Sequence, residues 1–158
     1  MGLDQFAYRI EKGTIEADVD FSTEEYNEET KDYEAVVDKT EIHYWRKRPS
    51  IQGWMQELYE SKGGENPEFN CSNVKLDMED LLELQRDIVN GSLSARFQGG
   101  FFFGSDRSTG EDEKEDDLEF VSKAIIAVTD GHEIYYSSWC RWTGVIVTRT
   151  NIIVILCI

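Results

Sequence analysis

Positive charge is scarce in this chain, cysteine and histidine are scarcer, and no apolar run is long enough to cross a bilayer. Sixteen Lys and Arg face 32 Asp and Glu, a formal charge of -16. Such a field repels phosphate backbones and anionic membranes out to a Debye length of about 8 Å at physiological salt, which excludes broad nucleic-acid binding and membrane association. Three cysteines, Cys71, Cys140 and Cys157, are an odd number without C-x-x-C spacing. They exclude a disulfide framework and read as reduced thiols of a cytoplasmic protein. Two histidines, His43 and His132, with scattered cysteines lack zinc-ligand spacing, so no metal and no cofactor is expected. Neither G-x-x-x-x-G-K-[ST] nor G-x-G-x-x-G occurs, which removes the two common phosphate-cradling loops. No G-x-S-x-G elbow surrounds Ser137 or Ser138, so nothing local supports a serine nucleophile. The start of the chain lacks the basic and apolar regions of a signal peptide, and Phe6 stands where a myristoylation motif wants Ser or Thr. Export is not expected.

What is present fits one domain, since a chain of 158 residues buries roughly 70% of its unfolded surface. Leu3 to Ile10 is rich in aromatic and branched residues and stops at Glu11-Lys12-Gly13, which predicts a first strand with residues 14 to 18 as its hairpin partner. Carboxylates without periodicity from Ser22 to Glu34 predict a solvated loop. Pro49 opens a helix whose apolar stripe is Ile51, Trp54, Met55, Leu58 and Tyr59, and Gly63-Gly64 ends it. Asp77 reads as the N-cap of a second helix that turns Met78, Leu81, Leu82, Leu84, Ile88 and Val89 inward and stops at Gly91. A third helix is predicted over residues 112 to 128, with Leu118, Val121, Ile125 and Val128 on one face. The acidic run before it suits the positive end of the helix dipole. After the Asp130-Gly131 turn, Glu133 to Trp139 reads as a strand. The expected fold is therefore α+β: one domain over residues 1–139, a small mostly antiparallel sheet with about three helices on it. Residues 140–158 form an atypical apolar tail, expected as a terminal hairpin or an extension foreign to the domain.

Two segments carry most of the chemical interest. Arg46-Lys47-Arg48, after His43-Tyr44-Trp45 and before Pro49, is the densest cluster of positive charge and sits at the amide-rich start of a helix. Cations there attract an anion, and neighbouring rings suit a nucleobase. Gly99-Gly100-Phe101-Phe102-Phe103-Gly104 puts three rings between glycines, followed by Ser105 and Asp106. On a strand these rings alternate between faces, and the glycines let a neighbouring backbone or ligand approach.

Four motifs in order, Met1-Gly2-Leu3-Asp4-Gln5-Phe6-Ala7-Tyr8, Ile42-His43-Tyr44-Trp45-Arg46-Lys47, Gly100-Phe101-Phe102-Phe103-Gly104-Ser105 and Glu133-Ile134-Tyr135-Tyr136-Ser137-Ser138-Trp139, resemble a family of small tailed-phage proteins, cyanophage members among them. The resemblance ends at Trp139. It implies a viral protein acting in the cytoplasm of an infected host, and some family members carry a phosphoglycerol-transferase label. The function expected on both grounds is binding of a small anionic or nucleotide-like ligand, in host takeover or counter-defence. Arg46 and Lys47 are expected to hold the anion, and Tyr44, Trp45, Phe102, Tyr136 and Trp139 to stack or wall the site, with Ser105 and Ser138 in the same lining. Two other classes compete with it. One is an acidic module docking on a host protein; the other is an enzyme on phosphate esters using Asp4, His43 or Asp106 as acid or base.

Overall fold

Alternation of side chains along Leu3–Glu11 builds β1 at the centre of the sheet: Leu3, Gln5 and Ala7 are buried on one face, and Asp4, Phe6, Tyr8 and Ile10 take the other. The computed structural model describes residues 2–67, 69–93, 110–140, 146–147 and 152–153. Among them follow β2 (Glu24–Asn27), β3 (Asp32–Ala35), β4 (Lys39–Arg46), α1 (Pro49–Ser61), β5 (Asn73–Leu76), α2 (Met78–Asn90), α3 (Glu111–Thr129) and β6 (His132–Cys140). A short antiparallel pair, β7 (Ile146–Val147) and β8 (Ile152–Ile153), closes the described chain. The main sheet has four strands in the order β4-β1-β6-β5, antiparallel throughout. Three helices and a mostly antiparallel sheet make a single α+β domain, as the sequence predicts.

All three helices bury their stripes on one sheet face. Ile51, Trp54, Met55 and Tyr59 of α1, Leu81, Leu84 and Ile88 of α2, and Phe120, Val121 and Ala124 of α3 meet Ala7, Trp45, Val74, Ile134 and Tyr136 in one core. Leu82 and Val89, expected inside, are exposed, because the buried stripe of α2 is centred on Leu81, Leu84 and Ile88. Gly64 has a steric reason to be glycine: a Cβ there would lie 2.2 Å from the Tyr59 ring, which the core holds.

The opposite face carries a smaller cluster of Ile10, Val37 and Tyr135, with Tyr8, Ile15 and Phe21 against it. The segment from β1 to β4 covers only part of this face. Residues 14 to 18 form no strand, and the expected solvated loop instead contains the β2–β3 hairpin, whose Tyr26 and Tyr33 pair across the strands. A one-residue bulge at Ile42 interrupts the β1–β4 register between Ala7 and Tyr8.

Candidate functional site

Strand alternation divides the residues that the sequence brings together. On β4, Tyr44 and Arg46 are exposed on the outer face, while Trp45 points to the helices and is 2% exposed. On β6, Trp139 lies on the outer face, while Tyr136 and Ser138 are 0% and 1% exposed. Trp45 and Tyr136 are thus core residues and cannot share an open hollow with Tyr44, Arg46 and Trp139, whereas Ser138, though 1% exposed, still borders the hollow that Trp139 lines. The polar atoms of Trp45, Tyr136 and Ser138 are used internally. Gln5 Nε2 donates to the Arg48 carbonyl at 3.0 Å and to the Tyr136 hydroxyl at 2.8 Å. The Tyr136 hydroxyl donates to Gln52 Oε1 at 2.5 Å, and Gln52 Nε2 reaches Ser138 Oγ at 3.0 Å and the Phe69 carbonyl at 2.9 Å. This network ties α1 to the sheet.

The triple cation also disperses. Lys47 takes a left-handed backbone conformation, φ 58°, and its amide donates to the Leu3 carbonyl at 2.8 Å. This turn carries the chain from β4 into α1, leaving Arg46 outside and Arg48 inside. Arg48 binds Asp117 through Nη2 and through Nε at 3.3 Å, and Trp45 Nε1 donates to the same carboxylate at 3.0 Å. The Arg48 guanidinium is therefore occupied by the chain's own carboxylate. Phe102, Ser105 and Asp106 lie outside the described residues. Asp4 and His43, candidates for acid–base work, stand on opposite faces: Asp4 accepts from the Tyr44 hydroxyl at 2.6 Å, and His43 Nε2 lies 3.3 Å from Asp116 on α3. Among the described residues no group of three His, Cys, Asp or Glu could hold a metal ion, and no helix is long and apolar enough to cross a membrane.

The open hollow lies on the outer face, where the helices do not reach. A cavity of about 620 Å3 has Phe6, Tyr8, Tyr135, Ser137 and Trp139 as its floor, residues 20–24 and Tyr33 as one wall, and Cys71, Ser72 and Asn73 as the other. The floor is a ladder of rings across three strands. Tyr44 meets Phe6 at 5.2 Å between centroids, Phe6 meets Tyr8 at 6.0 Å, and Tyr8 stacks on Tyr135 at 5.1 Å. Phe21 closes on Tyr135 edge-on at 5.3 Å. Lys39 is the one cation among the described lining residues. Its ammonium sits 5.1 Å above the Tyr8 ring and bonds Glu24 at 2.7 Å and Thr23 at 3.3 Å. Burial, then the carboxylates of Glu41 and Glu24, pushes the Tyr8 phenol above its ordinary pKa. Burial pushes the Tyr135 phenol up further still. Both rings are thus neutral at physiological pH and present their faces, not charge. No protein-family model, no curated protein and no solved structure matches the chain.

A second hollow of about 230 Å3 lies by β5 and β6 and gathers Lys12, Lys62, Lys75 and His132. Three of these four have carboxylate partners: Lys62 bonds Asp80 at 2.5 Å, Lys75 pairs with Glu133 at 3.1 Å, and His132 faces Glu11 at 3.7 Å. Of the expected ligand-binding residues that are described, Ser138 and Trp139 line the larger cavity, and the Tyr44 ring lies tilted against Phe6 at its border. Tyr8, Phe6, Tyr135 and Lys39 complete it. The alternation of aromatic residues at positions 6 and 8 of β1 was the available signal for the first two.

Proposed function

We propose that the protein binds a small molecule with a flat polar ring, nucleotide-like in character, in the cavity on the outer face of the sheet. The observation that carries this reading is the ladder of rings flooring a hollow of about 620 Å3, a volume within the range of roughly 300–1,000 Å3 that small ligands occupy. A heteroaromatic ring gains dispersion and electrostatic stacking on Phe6, Tyr8 and Trp139. A phosphate on such a ligand would be met by Lys39, released from Glu24, in place of the Arg46 and Lys47 expected from the sequence. If the likeness to phage proteins extends to role, binding would sequester a host signal nucleotide.

Calorimetric titration of the full chain with nucleosides, mononucleotides and cyclic nucleotides tests the reading. Trp139→Ala and Tyr8→Ala are each expected to weaken binding about tenfold or more, since stacking on one ring contributes about 1–3 kcal/mol. Lys39→Met should weaken nucleotides and spare nucleosides, while the double change Arg46→Ala with Lys47→Ala should alter neither. No binding heat from any of these compounds, or full affinity in both ring variants, overturns the reading.

A further inference from the structure

Beyond the cavity mouth, the same side of the molecule continues into a surface whose chemistry suits a different guest. The β2–β3 hairpin holds Tyr26 and Tyr33 at 50% and 61% exposure, their rings 5.3 Å apart and edge-on. Tyr33 also lines the cavity, so the hairpin's ring pair borders the same hollow as the ladder of the sheet. Tyr44, at the ladder's other end, is 44% exposed. Large rings left in water forgo the stabilisation that burial would give them.

The hairpin's charges are only partly satisfied in the free protein: Glu34 Oε1 accepts from Asn27 Nδ2 at 2.8 Å and from Thr30 Oγ1 at 3.1 Å, and Glu24 pairs with Lys39. Glu25 and Glu34 stand directly opposite each other in the β2–β3 register, both exposed. Like charges at directly paired positions destabilise a sheet, and Lys31 is the hairpin's one cation against Glu24, Glu25, Glu28, Glu29, Asp32 and Glu34. On the sheet face itself, the hydrogen bond to Asp4 is the largest cause that raises the Tyr44 phenol pKa, and Glu41 adds to it against the opposing charge of Arg46. A ring face beside a carboxylate is a site for a cation, and the chain already uses one so: Lys39 lies over Tyr8 and bonds Glu24.

We propose that this surface, the β2–β3 hairpin and the adjoining outer edge of the sheet, docks a basic polypeptide segment. Its arginine or lysine side chains lie against Tyr26, Tyr33 and Tyr44 and pair with Glu25, Glu34 and Glu41. Charge complementarity selects the occupant. A chain of charge -16 attracts a basic partner at long range and repels nucleic acid and anionic lipid, while rings spread over a hairpin and a sheet edge require an extended partner and not a single small cation.

Titration of the full chain with an arginine-rich peptide, and with the same peptide carrying glutamine in place of every arginine, tests the proposal. Binding is expected for the arginine peptide alone, falling about tenfold or more between about 50 mM and 500 mM salt as pairing is screened. Tyr26→Ala with Tyr33→Ala, and separately Glu25→Gln with Glu34→Gln, should each weaken it about tenfold. Glu111→Gln with Glu115→Gln, which removes the same charge from the start of α3, should not. An arginine peptide that binds equally to hairpin and α3 variants would show attraction to net charge alone and overturn the proposal, as would equal binding of the glutamine peptide. Thermal unfolding of each variant, expected unchanged or higher for Glu25→Gln with Glu34→Gln, confirms that the hairpin still folds.

Discussion

Asp117 shows how far one residue's environment can depart from that of its neighbours. It ends the acidic run that opens α3, where dipole and solvent accommodate carboxylates. Helical periodicity nevertheless places it on the stripe of Phe120, Val121 and Ala124, buried beneath Trp45 and Arg48. Burial, opposed by Arg48 and the Trp45 indole, pushes its carboxyl above the ordinary 3.8. The folded protein therefore holds this proton more tightly than the unfolded chain does. Stability from this group is greatest below the ordinary value and declines as pH rises through the raised one. Urea midpoints of the wild type and Asp117→Asn, followed from about pH 3.5 to about pH 7, are expected to shift relative to each other against the wild type. A relative shift the other way would mean that attraction to Arg48 outweighs burial.

At the scale of elements, the helices were legible because their ends are written locally. Asp77 accepts from the amides of Glu79 and Asp80 at 2.8 and 3.0 Å, Asp80 returns a bond to the Asp77 amide at 2.9 Å, and Gly91 closes α2 in the left-handed conformation, φ 72°. Asp77→Ala should lower unfolding stability by about 1 kcal/mol, measured by urea denaturation; an unchanged midpoint would show that tertiary packing alone holds this end. The strands were harder to read. β5 is only Asn73–Leu76, too short for a period to emerge, and it exists because β6 offers an edge to pair with. In β4 the bulge at Ile42 breaks the two-residue alternation just before Tyr44. The β2–β3 hairpin has almost no buried face, so the hydrophobic pattern that announces a strand is absent.

For the whole molecule the excess of negative charge is a standing repulsion that folding must overcome. Raising salt from about 10 mM to about 150 mM shortens the screening length from about 30 Å to about 8 Å and is expected to raise the midpoint of thermal unfolding, read by circular dichroism. A falling midpoint would mean that ion pairs such as Lys39–Glu24 and Lys62–Asp80 outweigh the repulsion. The amino-acid sequence by itself determined the charge, the three helices with the caps of α2, the two central strands and hence the α+β class, because each rests on spacing or on contacts a few residues apart. Only the tertiary structure decided which ring faces which way. A one-residue step along a strand moves a side chain to the other side of the sheet, and the helices occupy just one side. Trp45 and Tyr136 consequently became core, Arg48 was neutralised by a carboxylate 69 residues away, and the open hollow formed over Phe6, Tyr8 and Trp139.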